Sequence, residues 1–167
     1  MAAFLNAPSR DEVVFTKNAS EALNLAAATL AWPGERQVGP GDEIVVTEME
    51  HHANLLPWQE LCRRTGATLR WFSLTDDFRL DLSNIDQLIN GRTKVVAFTW
   101  VSNMLGTINP VVDLVERAKA FGEAISPVDV DSGHPGRYKA SWHVESGTRM
   151  DRVGSHRIER AYARVYN

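Results

Sequence analysis

The run Glu43-Ile44-Val45-Val46-Thr47-Glu48-Met49-Glu50-His51-His52-Ala53-Asn54 decides how this chain is read. Its first half is the apolar, β-branched pattern of a buried strand. Its second half is polar and opens with two adjacent imidazoles, so they stand where a strand emerges into a loop. In open α/β sheets ligands gather at the carboxyl ends of strands, and a histidine there can stack on a flat ligand or titrate near neutral pH. The plainer alternative is one solvated loop imidazole beside one helix-entry imidazole.

Working outward, three further β-rich runs appear at Glu12 to Thr16, Thr68 to Ser73 and Lys94 to Trp100. Helical patterns fall between and after them, at about Ala19 to Ala31, Ala53 to Thr65, Ser83 to Asn90 and Val111 to Phe121. Gly66 and Gly122 stand where helices should stop, and Pro33-Gly34, Pro40-Gly41-Asp42 and Asn109-Pro110 mark turns. Strands separated by helices predict an α/β fold with a mainly parallel sheet and flanking helices. The pattern is expected to stop at residue 122. Residues 137–167 hold 6 of the 14 arginines, and from Glu123 onward there is no run of four aliphatic residues. Residues 123–167 therefore read as a divergent basic tail: an interaction tail, a poorly ordered end, or sequence from a truncated or shifted reading frame.

Composition bounds the function. With 167 residues, 44% apolar, 23% charged and a net charge of −3, the chain is expected to form one soluble domain or part of one. That charge offers no electrostatic case for nucleic acid or an anionic membrane. No apolar stretch approaches the roughly 20 residues of a spanning helix. Met1 to Asn6 lacks the form of a signal peptide, and the single cysteine, Cys62, agrees with a reducing, cytoplasmic setting.

Two more segments could carry chemistry. Phe15-Thr16-Lys17-Asn18-Ala19-Ser20-Glu21 runs from a strand into a helix with Asn18 as N-cap and Glu21 three residues on. The amides of Ala19 and Ser20, the Ser20 hydroxyl and the positive end of the helix dipole together suit a phosphate, although a plain capped helix reads the same way. Trp100-Val101-Ser102-Asn103-Met104-Leu105-Gly106-Thr107 follows the fourth strand and places the Asn103 carboxamide at the same sheet edge, unless Asn103 and Gly106 serve only as turn residues. All three segments follow strands, so Ser20, His51 and Asn103 are expected to meet at one edge. A phosphate cradle, a stackable ring and an amide suit a flat, phosphorylated, aromatic cofactor.

At these residues the chain resembles a known family. Thr16-Lys17-Asn18-Ala19-Ser20-Glu21, Met49-Glu50-His51-His52-Ala53-Asn54-Leu55-Leu56-Pro57-Trp58 and Val101-Ser102-Asn103-Met104-Leu105-Gly106-Thr107 are similar to segments of the pyridoxal-phosphate-dependent cysteine desulfurases. The His-His-Ala-Asn and Pro-Trp forms resemble the SufS/CsdA-like branch of the class V aminotransferase group. The resemblance covers Met1 to Gly122 and implies part of a fold-type I large domain, truncated at both ends. It implies pyridoxal 5'-phosphate (PLP) as cofactor, L-cysteine as substrate, alanine as product, a role in iron-sulfur cluster assembly, and a homodimer. It also implies that Ala19 and Ser20 bind the phosphate, that His51 stacks on the pyridine ring, and that Asn103 contacts the cofactor oxygen and the substrate side.

The chain departs from that family in its nucleophiles. The Schiff-base lysine belongs to a Ser-Gly-His-Lys motif, and none of Lys17, Lys94, Lys119 and Lys139 lies in one. Ser132-Gly133-His134-Pro135 has proline where the amine belongs. Asp131 and His134 have the spacing of the expected Asp-x-x-Gln but not its second residue, and Pro127 weakens the strand that should precede them. Cys62 lies in a predicted helix facing the sheet, the setting of an inert packing thiol. No catalytic residue is assigned. The leading expectation is a desulfurase-like piece that is inactive alone. Two others stand beside it: a non-catalytic half-domain that pairs with a full-length relative, and a metal module built from Glu48, Glu50, His51 and His52, which adjacent histidines serve poorly.

Overall fold

Successive residues of a strand point to opposite faces, so a strand buried along its whole length needs cover on both sides. Every residue of Glu43–Thr47 is buried, which forces a layered arrangement. A computed structural model of the chain describes residues 9–34 and 36–120, together with short strands at 125–128, 141–142 and 162–164. Its elements run β1 (Val13–Phe15), α1 (Ala19–Leu30), β2 (Glu43–Thr47), α2 (Leu56–Thr65), β3 (Thr68–Phe72), α3 (Ile85–Leu88), β4 (Thr93–Thr99), α4 (Val111–Lys119), β5 (Ile125–Val128), β6 (Ser141–Trp142) and β7 (Tyr162–Arg164).

Four strands form a wholly parallel sheet in the order β3-β2-β4-β5. One face, carrying Ile44, Val46, Val95 and Ala97, packs against α1 through Ala22, Leu23 and Ala26 and against α2 through Trp58 and Leu61. The other face, carrying Val45, Val96 and Phe98, packs against α3 and α4 through Leu88, Leu114 and Ala118. Trp58 and Phe98 are almost wholly enclosed, and burying a side chain of this size contributes about 1.5–3 kcal/mol. From β2 the chain crosses to β3 on one side, then returns past β2 to β4 on the other. The crevice between the carboxyl ends of β2 and β4 is therefore the topological switch point, where such sheets take their ligands.

At the opposite, amino edge Glu43 is locked by Arg92 at 2.8 Å, Arg70 at 3.3 Å and Asn90 at 2.9 Å. Burial alone would raise its pKa, but hydrogen bonds from Asn90 and Arg92 and the charges of Arg70 and Arg92 outweigh that and lower it. That edge is closed by its own charges.

The structure corrects the sequence reading in four places. β1 is not a strand of the parallel sheet; it pairs antiparallel with β7 in a separate sheet of order β1-β7-β6. α2 does not begin at Ala53. Residues His52–Asn54 form a 3-10 turn first, because His51 caps that turn and Pro57 fits only the opening turn of the following helix. α3 spans Ile85–Leu88 rather than Ser83 to Asn90. Beyond residue 122 the sheet gains β5, the outermost of its described strands, and Pro127 is tolerated there because a strand paired on one side can spare an amide donor. Apart from β5, β6 and β7, the basic tail at 123–167, with Asp131, Ser132 to Pro135 and Lys139, lies outside the described residues. Among the described residues no helix is long and apolar enough to cross a membrane.

Candidate functional site at the carboxyl edge

Glu50 organises the switch point. It follows β2, and its Oε1 accepts from the Thr47 hydroxyl at 2.6 Å and from the Thr99 backbone N–H at 2.8 Å, while Oε2 accepts from Asn54 Nδ2 at 2.6 Å. One carboxyl thus joins the end of β2, the end of β4 and the 3-10 turn that begins at His52. Burial pushes its pKa up from 4.5 to about 7, although all three hydrogen bonds pull the other way. Asn54 in turn accepts from the indole Nε1 of Trp58 at 3.0 Å. A second tie is Asn109, whose Nδ2 donates to the Thr99 carbonyl at 2.7 Å and lies 3.2 Å from Met49 Sδ. Its Oδ1 is buried with no hydrogen-bond partner among the described residues.

His51 is exposed, and its Nδ1 accepts from the Ala53 backbone N–H at 3.0 Å, capping the 3-10 turn. That bond occupies the Nδ1 lone pair. The His52 ring meets His51 edge-on at a centroid distance of 6.2 Å.

Ala19 and Ser20 open α1, with Ala19 buried and Ser20 exposed. Asn18 caps this end by accepting from the Glu21 amide at 2.8 Å, and the Glu21 carboxylate accepts from the Lys17 amide at 2.7 Å. The amides of the first helical turn have no intrahelical acceptor. The far end of α1 is tied to the approach of β2 by a bond from the Val38 amide to the Leu30 carbonyl at 2.9 Å, and α1 also packs against the 52–54 turn. α1 therefore runs opposite to β2 and points its N-terminus at the carboxyl edge.

Asn103 lies in an exposed turn after β4, pinned by bonds from the Gly106 amide to the Ser102 carbonyl at 2.9 Å and from the Leu105 amide to Ser102 Oγ at 3.2 Å. His51 and Asn103 thus follow neighbouring parallel strands. Ser20 reaches the same edge through the packing of α1 and not, as expected from sequence, through a strand of the same sheet. Sequence reasoning missed Glu50, Asn54, Thr47, Thr99 and Asn109 as parts of this edge. The legible signal was the spacing of Glu50, Asn54 and Trp58 at every fourth residue, one face of a helical path.

The remaining chemistry-bearing side chains stand elsewhere. Glu48 accepts from the Leu74 amide at 3.1 Å, so it and Glu50 are both engaged by the protein, and among the described residues no three His, Cys, Asp or Glu side chains are grouped to hold a metal. Cys62 lies on the buried face of α2, where burial pushes its thiol up to about 11 and keeps it protonated at neutral pH. Lys17 is exposed just before α1, and Lys94, the second residue of β4, lies toward the amino edge.

Comparison with known proteins agrees with this fold. The aminotransferase class-V family model matches residues 1–137. A probable cysteine desulfurase of Streptomyces coelicolor is 59% identical over 136 residues, covering 81% of this chain and 32% of that protein. The apo structure of a cysteine desulfurase from Thermococcus onnurineus NA1 superposes with a TM-score of 0.69 at 40% identity, over 78% of this chain and 31% of that one. The cysteine desulfurase CsdA of Escherichia coli superposes with a TM-score of 0.66 at 30% identity, over 75% of this chain and 31% of that one. The chain spans about a third of the length of these relatives. With the family model matched from the first residue through the sheet and its carboxyl edge, the chain belongs to the PLP-dependent aminotransferase class-V family, and the relatives it resembles there are cysteine desulfurases.

Proposed function

We propose that this chain forms the cofactor-holding edge of a PLP-dependent cysteine desulfurase, which takes sulfur from L-cysteine, leaves alanine and feeds iron-sulfur cluster assembly in the cytoplasm as a homodimer. The observation that carries this reading is the placement of the α1 N-terminus, His51 and Asn103 at one carboxyl edge. The residues present fit the group in part. The amides of Ala19 and Ser20 with the Ser20 hydroxyl suit a phosphate, the capped His51 ring suits a flat pyridine, and the exposed Asn103 amide suits the cofactor oxygen and the substrate side. When bound, PLP supplies the electron sink, and the protein supplies orientation and charge.

The described side chains hold and orient; they do not complete the reaction. Turnover needs an amine to carry the cofactor and a thiolate to accept sulfur. Lys17 and Lys94 lie outside the Ser-Gly-His-Lys motif, and Cys62 is a buried, protonated thiol. The 167-residue chain is therefore expected to bind PLP without a covalent bond and to leave L-cysteine unchanged. The test is to mix the purified chain with PLP, reduce with borohydride, map modified lysines by mass spectrometry, and assay alanine and sulfide. Ser20→Ala and His51→Ala should each weaken PLP binding by about tenfold, the effect of one lost charge-assisted hydrogen bond or stacked ring. Binding unchanged in both variants would remove the site. A single stoichiometrically trapped lysine with cysteine-dependent alanine would overturn the inactive reading, and Lys139 would be examined first.

A second reading is a non-catalytic half-domain that pairs with a full-length relative. It is favoured by apolar side chains left open on the segment after β4, with Met104 84%, Ile108 69% and Val112 66% exposed.

A further inference from the structure

We infer that Glu50 is a positioning residue whose carboxylate, by tying Thr47, Thr99 and Asn54 together, fixes where His51 stands at the carboxyl edge. The inference deepens the proposed cofactor-holding role of that edge and rests on it for its functional meaning.

The polarity of the network leaves little choice of residue at this position. An indole N–H only donates, so Trp58 fixes Asn54 with Oδ1 toward the ring and Nδ2 toward Glu50. The Thr99 backbone N–H also only donates, and it meets the other carboxyl oxygen. Both oxygens of Glu50 therefore face an obligate donor, and only the Thr47 hydroxyl can reverse its role. A glutamine here would set its NH2 either against the Thr99 N–H or against the Asn54 NH2. Flipping Asn54 to relieve the second conflict sets that NH2 against Trp58. Glutamate alone satisfies all the donors.

The position of the tie gives it leverage on His51. Thr47 lies three residues before Glu50 and Asn54 four after, so the bonds close the chain into a loop that contains His51, His52 and Ala53. Thr99 anchors that loop to the neighbouring strand. The His51 cap on Ala53 is made inside the loop. The contacts from β2, β4 and the 3-10 turn are all uncharged, and the titratable residues beside Glu50 in the chain are Glu48 and His51. When the carboxyl takes a proton, that proton fits only on Oε1, with Thr47 turned to accept it. Because enclosure raises this pKa from 4.5 to about 7, ionisation costs more in the closed loop than in an open one, so the loop opens more easily as pH rises between those values.

The test is nuclear magnetic resonance on the full chain without cofactor, with PLP binding measured separately. In the wild type the Thr99 amide and the Trp58 indole N–H should shift together with a midpoint at about 7. In Glu50→Gln neither should titrate there, and hydrogen-exchange protection of the Ala53 amide should fall about tenfold while the amides of Val45 and Val96 keep theirs. The same variant should bind PLP more weakly than the wild type, and a second substitution, His51→Ala, should add little to that loss. Unchanged Ala53 protection in Glu50→Gln would overturn the inference. If that variant does not fold, the wild-type titration decides alone, and no common transition at Thr99 and Trp58 would overturn it. A wild type that titrates as expected but binds no PLP would instead defeat the cofactor reading and leave the Glu50 tie standing.

Discussion

At the scale of single residues, the carboxyl edge stores a cost that pH reveals. The Glu50 pKa rises from 4.5 to about 7 because enclosure opposes its charge more strongly than three donors favour it. The sign follows from linkage: the unfolded carboxyl ionises first, so the folded chain keeps its full advantage below about 4.5, loses it as pH rises, and has none left above about 7. At about 1.4 kcal/mol per unit, the swing is on the order of 3 kcal/mol. Denaturant unfolding of wild type and Glu50→Gln at a series of pH values should show their stability difference moving by this amount between those limits, with the wild type falling as pH rises. A difference that stays flat would mean that Glu50 titrates as an ordinary surface acid. The histidine pair was legible in the sequence because its place after an apolar run is a local pattern. The role of Glu50 was not, since the enclosing Thr99 arrives from β4, 49 residues along the chain.

At the scale of elements, local signals located most of the pieces and misjudged one partnership. β2 falls within the apolar first half of the Glu43 to Asn54 run, β3 and β4 lie within one residue of their predicted bounds, and α1 ends one residue early, because aliphatic runs and caps are written in the elements themselves. β1 was assigned to the wrong sheet. A three-residue strand carries no information about its partner, and its partner, Tyr162–Arg164, comes from the aliphatic-poor end of the chain. β5 was passed over because Pro127 reads as a breaker unless the strand is known to be an edge. Gly66 is a signal that held: it ends α2 in the left-handed region at φ 77°, with its amide donating to the Cys62 carbonyl. Gly66→Ala would place a Cβ 3.3 Å from Pro40 Cγ in a conformation that costs an L-residue about 1–2 kcal/mol. The expected result is a lower urea midpoint by that amount with an unchanged slope. An unchanged midpoint would show that the α2 to β3 connection relaxes without strain.

At the scale of the whole molecule, the two edges of the parallel sheet have opposite characters. The amino edge is sealed by Glu43 with Arg70, Arg92 and Asn90, whereas beyond the carboxyl edge the chain leaves large apolar side chains in water. The segment that carries Met104 and Ile108 is tied down at Thr107, whose hydroxyl donates to the Phe78 carbonyl at 2.8 Å, and Phe78 is itself 58% exposed in the left-handed region at φ 60°. Ordered, exposed apolar side chains grouped on one segment favour association, because covering them releases water without the entropy cost of ordering a loop. The chain is therefore expected to self-associate in the micromolar range, and Met104→Ser combined with Ile108→Lys to shift it toward monomer with unchanged circular dichroism. Sedimentation velocity across a concentration series is the measurement. A wild type that remains monomeric to about 100 µM, corresponding to less than about 5.5 kcal/mol of association free energy, would show that this segment does not drive pairing and would remove the support for the half-domain reading.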